Sequence, residues 1–148
     1  LGQKLASVEQ IMRPLDQCRV ARTDTTIRDA MITASKAGRR TGAIMLIDDR
    51  GRLAGLFTDS DLARVLEQRH DADLDEPIEE KMTRQPITAE TGWSLQQAMA
   101  ILSHRRISEL PVIDDSRRPI GLIDITDLVA FTEHDPTPQT IPFNQRPA

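Results

Sequence analysis

Gly55-Leu56-Phe57-Thr58-Asp59-Ser60-Asp61-Leu62 and Gly121-Leu122-Ile123-Asp124-Ile125-Thr126-Asp127-Leu128 are one stretch written twice: Gly, Leu, Asp and Leu coincide at an offset of 66 residues. Working outward, Asp48-Asp49 falls on Asp114-Asp115 and Arg39-Arg40 on Arg105-Arg106 at the same offset. Further upstream Ile27-Arg28-Asp29-Ala30-Met31 matches Leu95-Gln96-Gln97-Ala98-Met99 at 68, and Val8 to Met12 matches Ile78 to Met82 at 70. Shifts of two residues between blocks are what loops tolerate. An internal repeat is the first feature to seek in a chain, because missing it misreads the whole fold.

Within one copy the periodicity changes along the chain. Ile27, Ala30, Met31 and Ala34 stand at i, i+3, i+4 and i+7, a helical stripe with Gly38 as its stop. Ala43 to Ile47 is an apolar run of strand length, Asp48 to Gly51 a turn, and Leu53 to Phe57 the returning strand; Leu62, Val65 and Leu66 start another helix. The second copy has a helix on Leu95, Ala98, Met99 and Leu102, a strand Leu110 to Ile113, a turn Asp114 to Pro119, a strand Ile120 to Ile123 and a helix from about Thr126. The expected fold is therefore α/β (α+β), with two tandem β-α-β-β-α repeats. Neither copy is large enough to bury a core alone, so the pair is expected to pack face to face about a pseudo-two-fold axis.

The chain has 148 residues, 39% hydrophobic and 28% charged, with a net charge of −4. That composition excludes a disordered chain. Aromatics are confined to Phe57, Trp93, Phe131 and Phe143, too few for stacking single-stranded bases, and the acidic balance argues against nucleic acid. No apolar run reaches membrane-span length and no secretory signal pattern opens the chain, so no membrane partner and a cytoplasmic setting are expected. A lone Cys18 supports no internal disulfide, and His70, His104 and His134 are scattered away from metal-ligand spacing; no metal and no required cofactor are expected. The first residue is Leu1, so the chain is expected to be part of something longer.

The order of elements, the G-h-h-x-x-x-D-L close of each copy and Leu110-Pro111-Val112-Ile113-Asp114 resemble a tandem pair of CBS domains, over about residues 8–132. The resemblance implies a pair packed through its sheets, with two clefts able to hold adenine nucleotides such as AMP or ATP. It also implies a homodimer and a regulatory role toward an enzyme or transporter in the same chain. More narrowly, Leu1-Gly2-Gln3-Lys4-Leu5 leading into Ile11-Met12, and Phe57 to Leu62 followed by Arg64-Val65, are similar to the C-terminal half of bacterial D-arabinose 5-phosphate isomerases. That likeness implies a missing N-terminal sugar-isomerase domain, and a CMP-sugar such as CMP-Kdo as an alternative effector. At Asp124-Ile125-Thr126 this chain departs from those proteins, which tend to carry His near that motif.

The residues themselves support a ligand site. Thr58 follows a strand and precedes Asp61 at a helix mouth, where free N–H groups and a partial positive charge suit a phosphate. Its hydroxyl can donate to a phosphate oxygen, and the Asp61 carboxylate can accept ribose hydroxyls. Thr58-x-x-Asp61 equally fits a capping box, and both readings stay open. Arg39, Arg40, Thr41 and Arg64 complete this first cleft, the arginines as guanidinium forks for phosphate; the arginine pair could equally be a solvated helix end. A weaker second cleft gathers Thr126, Asp127, Arg105 and Arg106, but Asp124 stands where the hydroxyl should be and would repel a phosphate, unless it simply caps the last helix. Cys18 reads as a small buried residue, Met12, Met31, Met82 and Met99 as core or interface, and His104 as surface.

The domain layout follows: 1–7 linker, 8–69 first repeat, 70–77 linker, 78–132 second repeat, 133–148 a proline-rich extended arm. Val8, Ile11, Ile78 and Met82 are expected to lie on helix faces left for dimerisation. Three classes of function compete: a regulatory ligand-binding module, a non-binding dimerisation module, and a self-contained enzyme. The last is disfavoured, since no nucleophile–base pair or phosphate loop appears.

Overall fold

The computed structural model describes residues 6–35, 42–68 and 71–133. The first copy opens with a one-turn helix α1 (Val8–Ile11) and a two-residue strand β1 (Arg13–Pro14). It continues through β2 (Arg19–Arg22), α2 (Ile27–Ser35), β3 (Ile44–Ile47), β4 (Leu53–Phe57) and α3 (Asp59–Glu67). The second repeats the order: a 3-10 turn (Ile78–Glu80), β5 (Thr83–Arg84), β6 (Ala89–Glu90), α4 (Leu95–Arg105), β7 (Glu109–Ile113), β8 (Pro119–Asp124) and α5 (Ile125–Glu133). The β-α-β-β-α expectation holds in both copies. The helix stop at Gly38 and the arm beyond Glu133 lie outside the described residues.

The apolar run at Ile44 to Leu46 is continuous because both faces of β3 are covered. Ile44 and Leu46 pack with Ile27, Ala30, Phe57 and Val65 beneath the helices. Met45, pointing the other way, joins Leu53 and Leu56 against Ile113 and Leu122 of the other copy. That second cluster joins the sheets face to face.

Each four-stranded sheet is shared between the copies, in the orders β2-β3-β4-β5 and β1-β8-β7-β6. The central strand runs parallel to its copy's first strand and antiparallel to the returning one. The fourth strand comes from the other copy: Arg13 pairs with Leu122 and Pro14 with Gly121, while Thr83 pairs with Leu56 and Arg84 with Gly55. The repeated glycine is explained by this crossing. A Cβ on Gly121 would lie 2.6 Å from both the Arg13 carbonyl oxygen and the Met12 sulfur, and one on Gly55 would meet the Met82 side chain.

The crossing also overturns the expected dimer face. Val8 is fully buried in the core of the second copy and Ile78 in that of the first, with Ile11 and Met82 half-buried beside them. Among the described residues, the large apolar side chains left exposed are instead Leu15 after β1, Ile32 and Leu66 on α2 and α3, and Met99, Ile125 and Val129 on α4 and α5. The linker is also more than a linker. Asp71–Asp75 forms a 3-10 turn, Leu74 packs on the first core, Asp75 pairs with Arg28 at 2.9 Å and Asp73 with Lys81 at 3.4 Å.

Candidate functional site

The strand β4 ends at Phe57, and Thr58 turns the chain in extended conformation into α3. Its Oγ1 accepts from the Asp61 N–H at 3.2 Å, and the Asp61 carboxylate accepts from the Thr58 N–H at 2.9 Å. This is a reciprocal capping box, so that reading of the motif is correct. Asp61 is only 5% exposed and has further partners: Arg64 Nη2 donates to it at 2.7 Å and Thr83 Oγ1 at 3.4 Å. Its oxygens are thus committed to the fold. With Arg64 it borders a small hollow of about 100 Å³ apart from the main cleft.

The main cleft, about 370 Å³, lies where the start of α3 meets the approach to β7. Thr58, Asp59 and Ser60 line it from the first copy and Arg106 to Glu109 from the second, with Thr83 and Gln85 to Ile87 completing the lining. The cleft joins the two copies, so the arginine that lines it together with Thr58 is Arg106, which the sequence assigns to the other cleft. Arg39, Arg40 and Thr41 lie outside the described residues. Arg105 and His104 are exposed near the end of α4.

Two rim residues are held in left-handed backbone without being glycine: Gln85 at φ 50° and Arg106 at φ 54°. Such conformations cost energy and concentrate at ligand sites. Arg106 acquires its geometry by ending α4, donating its N–H to the Leu102 and Ser103 carbonyls.

The electrostatics of the cleft are mixed. Glu109, half-buried at the first position of β7, stands opposite Asp124 of β8. Burial pushes its carboxyl above the usual carboxylate range, and the charges of Asp124, Asp59 and Asp61 push it further. Asp59 accepts from the Gly42 N–H at 3.3 Å. Behind it Arg19 is 3% exposed, donates to the Gly42 carbonyl at 2.6 Å and leaves its Nε without a partner. Burial lowers the Arg19 pKa against the opposing pull of Asp59.

The second candidate set is built differently. Asp124, 9% exposed, accepts from both the N–H (2.9 Å) and the Oγ1 (2.7 Å) of Thr126, so it caps α5. Asp127 is paired with Arg13 at 2.8 Å, the Arg13 side chain being 9% exposed. Arg106 lines the other cleft. Thr126 and Asp127 are adjacent at the start of α5, and the charge that pairs with Asp127 is that of Arg13.

Sequence reasoning missed Asp59, Ser60, Thr83 and Glu109. For Glu109 a signal existed: the offset of 66 pairs it with Ala43, a carboxylate where the other copy has a methyl group. Among the described residues no group of His, Cys, Asp and Glu could hold a metal, and no helix is long and apolar enough to cross a membrane.

The family model described as CBS domain matches residues 8–68 and 76–133. Inosine-5'-monophosphate dehydrogenase of Mycobacterium leprae is 32% identical over 139 residues, 90% of this chain and 25% of that protein. Arabinose 5-phosphate isomerase KdsD of Pseudomonas aeruginosa is 29% identical over 130 residues, 87% of this chain and 39% of that protein. The chain thus spans a quarter to two-fifths of these relatives' length. Among solved structures, the CBS domain pair of protein MJ0100 in complex with 5'-methylthioadenosine and S-adenosyl-L-methionine superposes with a TM-score of 0.74 at 27% identity, covering 86% of this chain and 96% of that one.

Proposed function

We propose that this chain, which belongs to the CBS domain family, is the ligand-sensing module of a larger enzyme and holds an adenosine-bearing effector between Thr58–Ser60 and Arg106–Glu109. The cleft itself carries the reading. Its volume of about 370 Å³ falls within the range of small-molecule sites, ~300–1,000 Å³. It combines the hydroxyl residues Thr58, Ser60, Thr83 and Ser108 and the arginine Arg106 with carboxylates able to accept ribose hydroxyls. The adenosine ligands of the MJ0100 pair support adenosine ahead of a CMP-sugar.

For the parent we propose a sugar-phosphate isomerase that interconverts arabinose 5-phosphate and ribulose 5-phosphate. The stretches Leu1 to Met12 and Phe57 to Val65 and the likeness to KdsD support it. Self-association belongs to the same proposal. Met99, Ile125 and Val129 border an exposed apolar hollow of about 310 Å³, which a second copy would cover.

A thermal-melt titration against AMP, 5'-methylthioadenosine, S-adenosylmethionine, ATP and a CMP-sugar tests the sensing role. At a hundredfold excess over Kd one site adds about 2.7 kcal/mol, or roughly 5–11 °C for a domain of this size. No shift from any of them at millimolar concentration would leave only the dimerisation role.

A further inference from the structure

We propose that Glu109 makes the main cleft select the charge of its ligand, admitting adenosines whose 5' substituent is neutral or cationic and rejecting polyphosphates. The proposal rests on the adenosine reading above and refines it to a ligand class.

Glu109 and Asp59 line one cleft from different copies. From β8, Asp124 lies opposite Glu109; from α3, Asp59 and Asp61 both bear on it; from its own approach segment comes Arg106. Among the described residues lining the cleft, Arg106 is the one cation set against those two carboxylates, and it is solvent-exposed. The positive end of α3 is already answered by the Asp61 carboxylate on the Thr58 N–H. A phosphate chain entering this space brings charge to a half-buried carboxylate already crowded by three others. Like charges about 5 Å apart at an effective dielectric near 20 weaken binding roughly a hundredfold. A thioether brings no such penalty, and a sulfonium is attracted. Ribose hydroxyls, as donors, suit the same carboxylates.

The test is equilibrium titration of the chain at pH 7.5 with 5'-methylthioadenosine, S-adenosylmethionine, AMP and ATP. The first two are expected to bind at least about tenfold tighter than ATP, with AMP between. Glu109→Gln should narrow the ratio of ATP to methylthioadenosine dissociation constants about tenfold or more, since any ribose contact it weakens is common to both ligands and the repulsion is not. Asp59→Asn, changed at an exposed position, should act in the same direction and serves if the first variant folds poorly. ATP binding as tightly as methylthioadenosine, or a gap unmoved in both variants, overturns charge selection while the adenosine site stands. Binding by none of the four refutes the site and this proposal with it.

Discussion

Replacing Asp61 by Ala is expected to unsettle the fold before it touches any ligand. The carboxylate accepts from the Thr58 N–H at 2.9 Å and from Arg64 at 2.7 Å, and receives Thr83 Oγ1 at 3.4 Å while 5% exposed. The Asp61 backbone N–H keeps its bond to Thr58 Oγ1, so what is lost is the reverse half of the box, and stranding the part-buried Thr58 N–H that had a charged acceptor costs about 1–3 kcal/mol. The Arg64 side chain is 63% exposed, so its ion pair adds little. That loss, about 1–3 kcal/mol, should lower the melting temperature by roughly 2–12 °C at about 2–4 °C per kcal/mol. Urea titration should show a shifted midpoint with an unchanged slope. Asp61→Asn keeps one acceptor oxygen and should fall between. A variant that melts within ~2 °C of the parent but no longer binds nucleoside would refute this, making Asp61 a ligand contact after all.

Gly121→Ala should cost more than Gly55→Ala, because its Cβ meets the Arg13 backbone as well as a Met side chain. About 1–3 kcal/mol is expected, with Met82→Ala rescuing Gly55→Ala alone; equal losses without rescue would contradict the crossing. The Glu109 carboxyl is raised in the fold, so the fold binds its proton more tightly than the unfolded chain does. Stability from this group is therefore highest below the ordinary carboxylate range and is lost as pH rises through the raised value. Melting curves of Glu109→Gln should lack that fall, and parallel profiles would refute it. Calorimetry should find one strong site per chain, since Asp124 caps α5 and Asp127 is held by Arg13; two equal sites would show the pairing does not close the second. Light scattering at ~100 μM should find a dimer that Val129→Asp dissociates, a charge in an apolar contact being costly; a parent that is monomeric, or a variant still dimeric, contradicts that face.

Much of the fold was legible because its constraints act locally or recur. The Gly and Asp of Gly55 to Asp61 return at Gly121 to Asp127, and Ala43 to Ile47 needs cover on both sides whatever the rest of the chain does. The crossing was not legible, since Arg13–Pro14 and Thr83–Arg84 are two-residue strands and two residues carry no period. That omission misplaced Val8 and Ile78, apolar side chains whose partners lie in the opposite copy. The lining of the main cleft was legible in part, but not its pairing. Thr58 and Arg106 each looked like cleft residues, and only the packing of the copies brings them to one cleft.

The copies differ most where the crossing strands meet the helix mouths. At the offset of 70, Thr83 corresponds to Arg13, and at 66, Asp61 corresponds to Asp127. In one pairing a hydroxyl meets a buried capping carboxylate at 3.4 Å. In the other a guanidinium binds its carboxylate at 2.8 Å, and the hydroxyl that would cap the helix is replaced by Asp124. A threonine is too short to fill the mouth of a cleft, whereas an arginine spans it and neutralises the acid it reaches. Divergence at these positions keeps the fold's pseudo-symmetry and removes the equivalence of its sites. Glu109 extends the asymmetry, since it places a carboxylate in the wall of the open cleft where the repeat-matched residue is Ala43. Among the described residues, a pair built this way presents a ligand-sized opening whose walls come from both copies. In the sensing role proposed above, a ligand seated there would bear on the contact between the copies, which is how its binding would bias their packing.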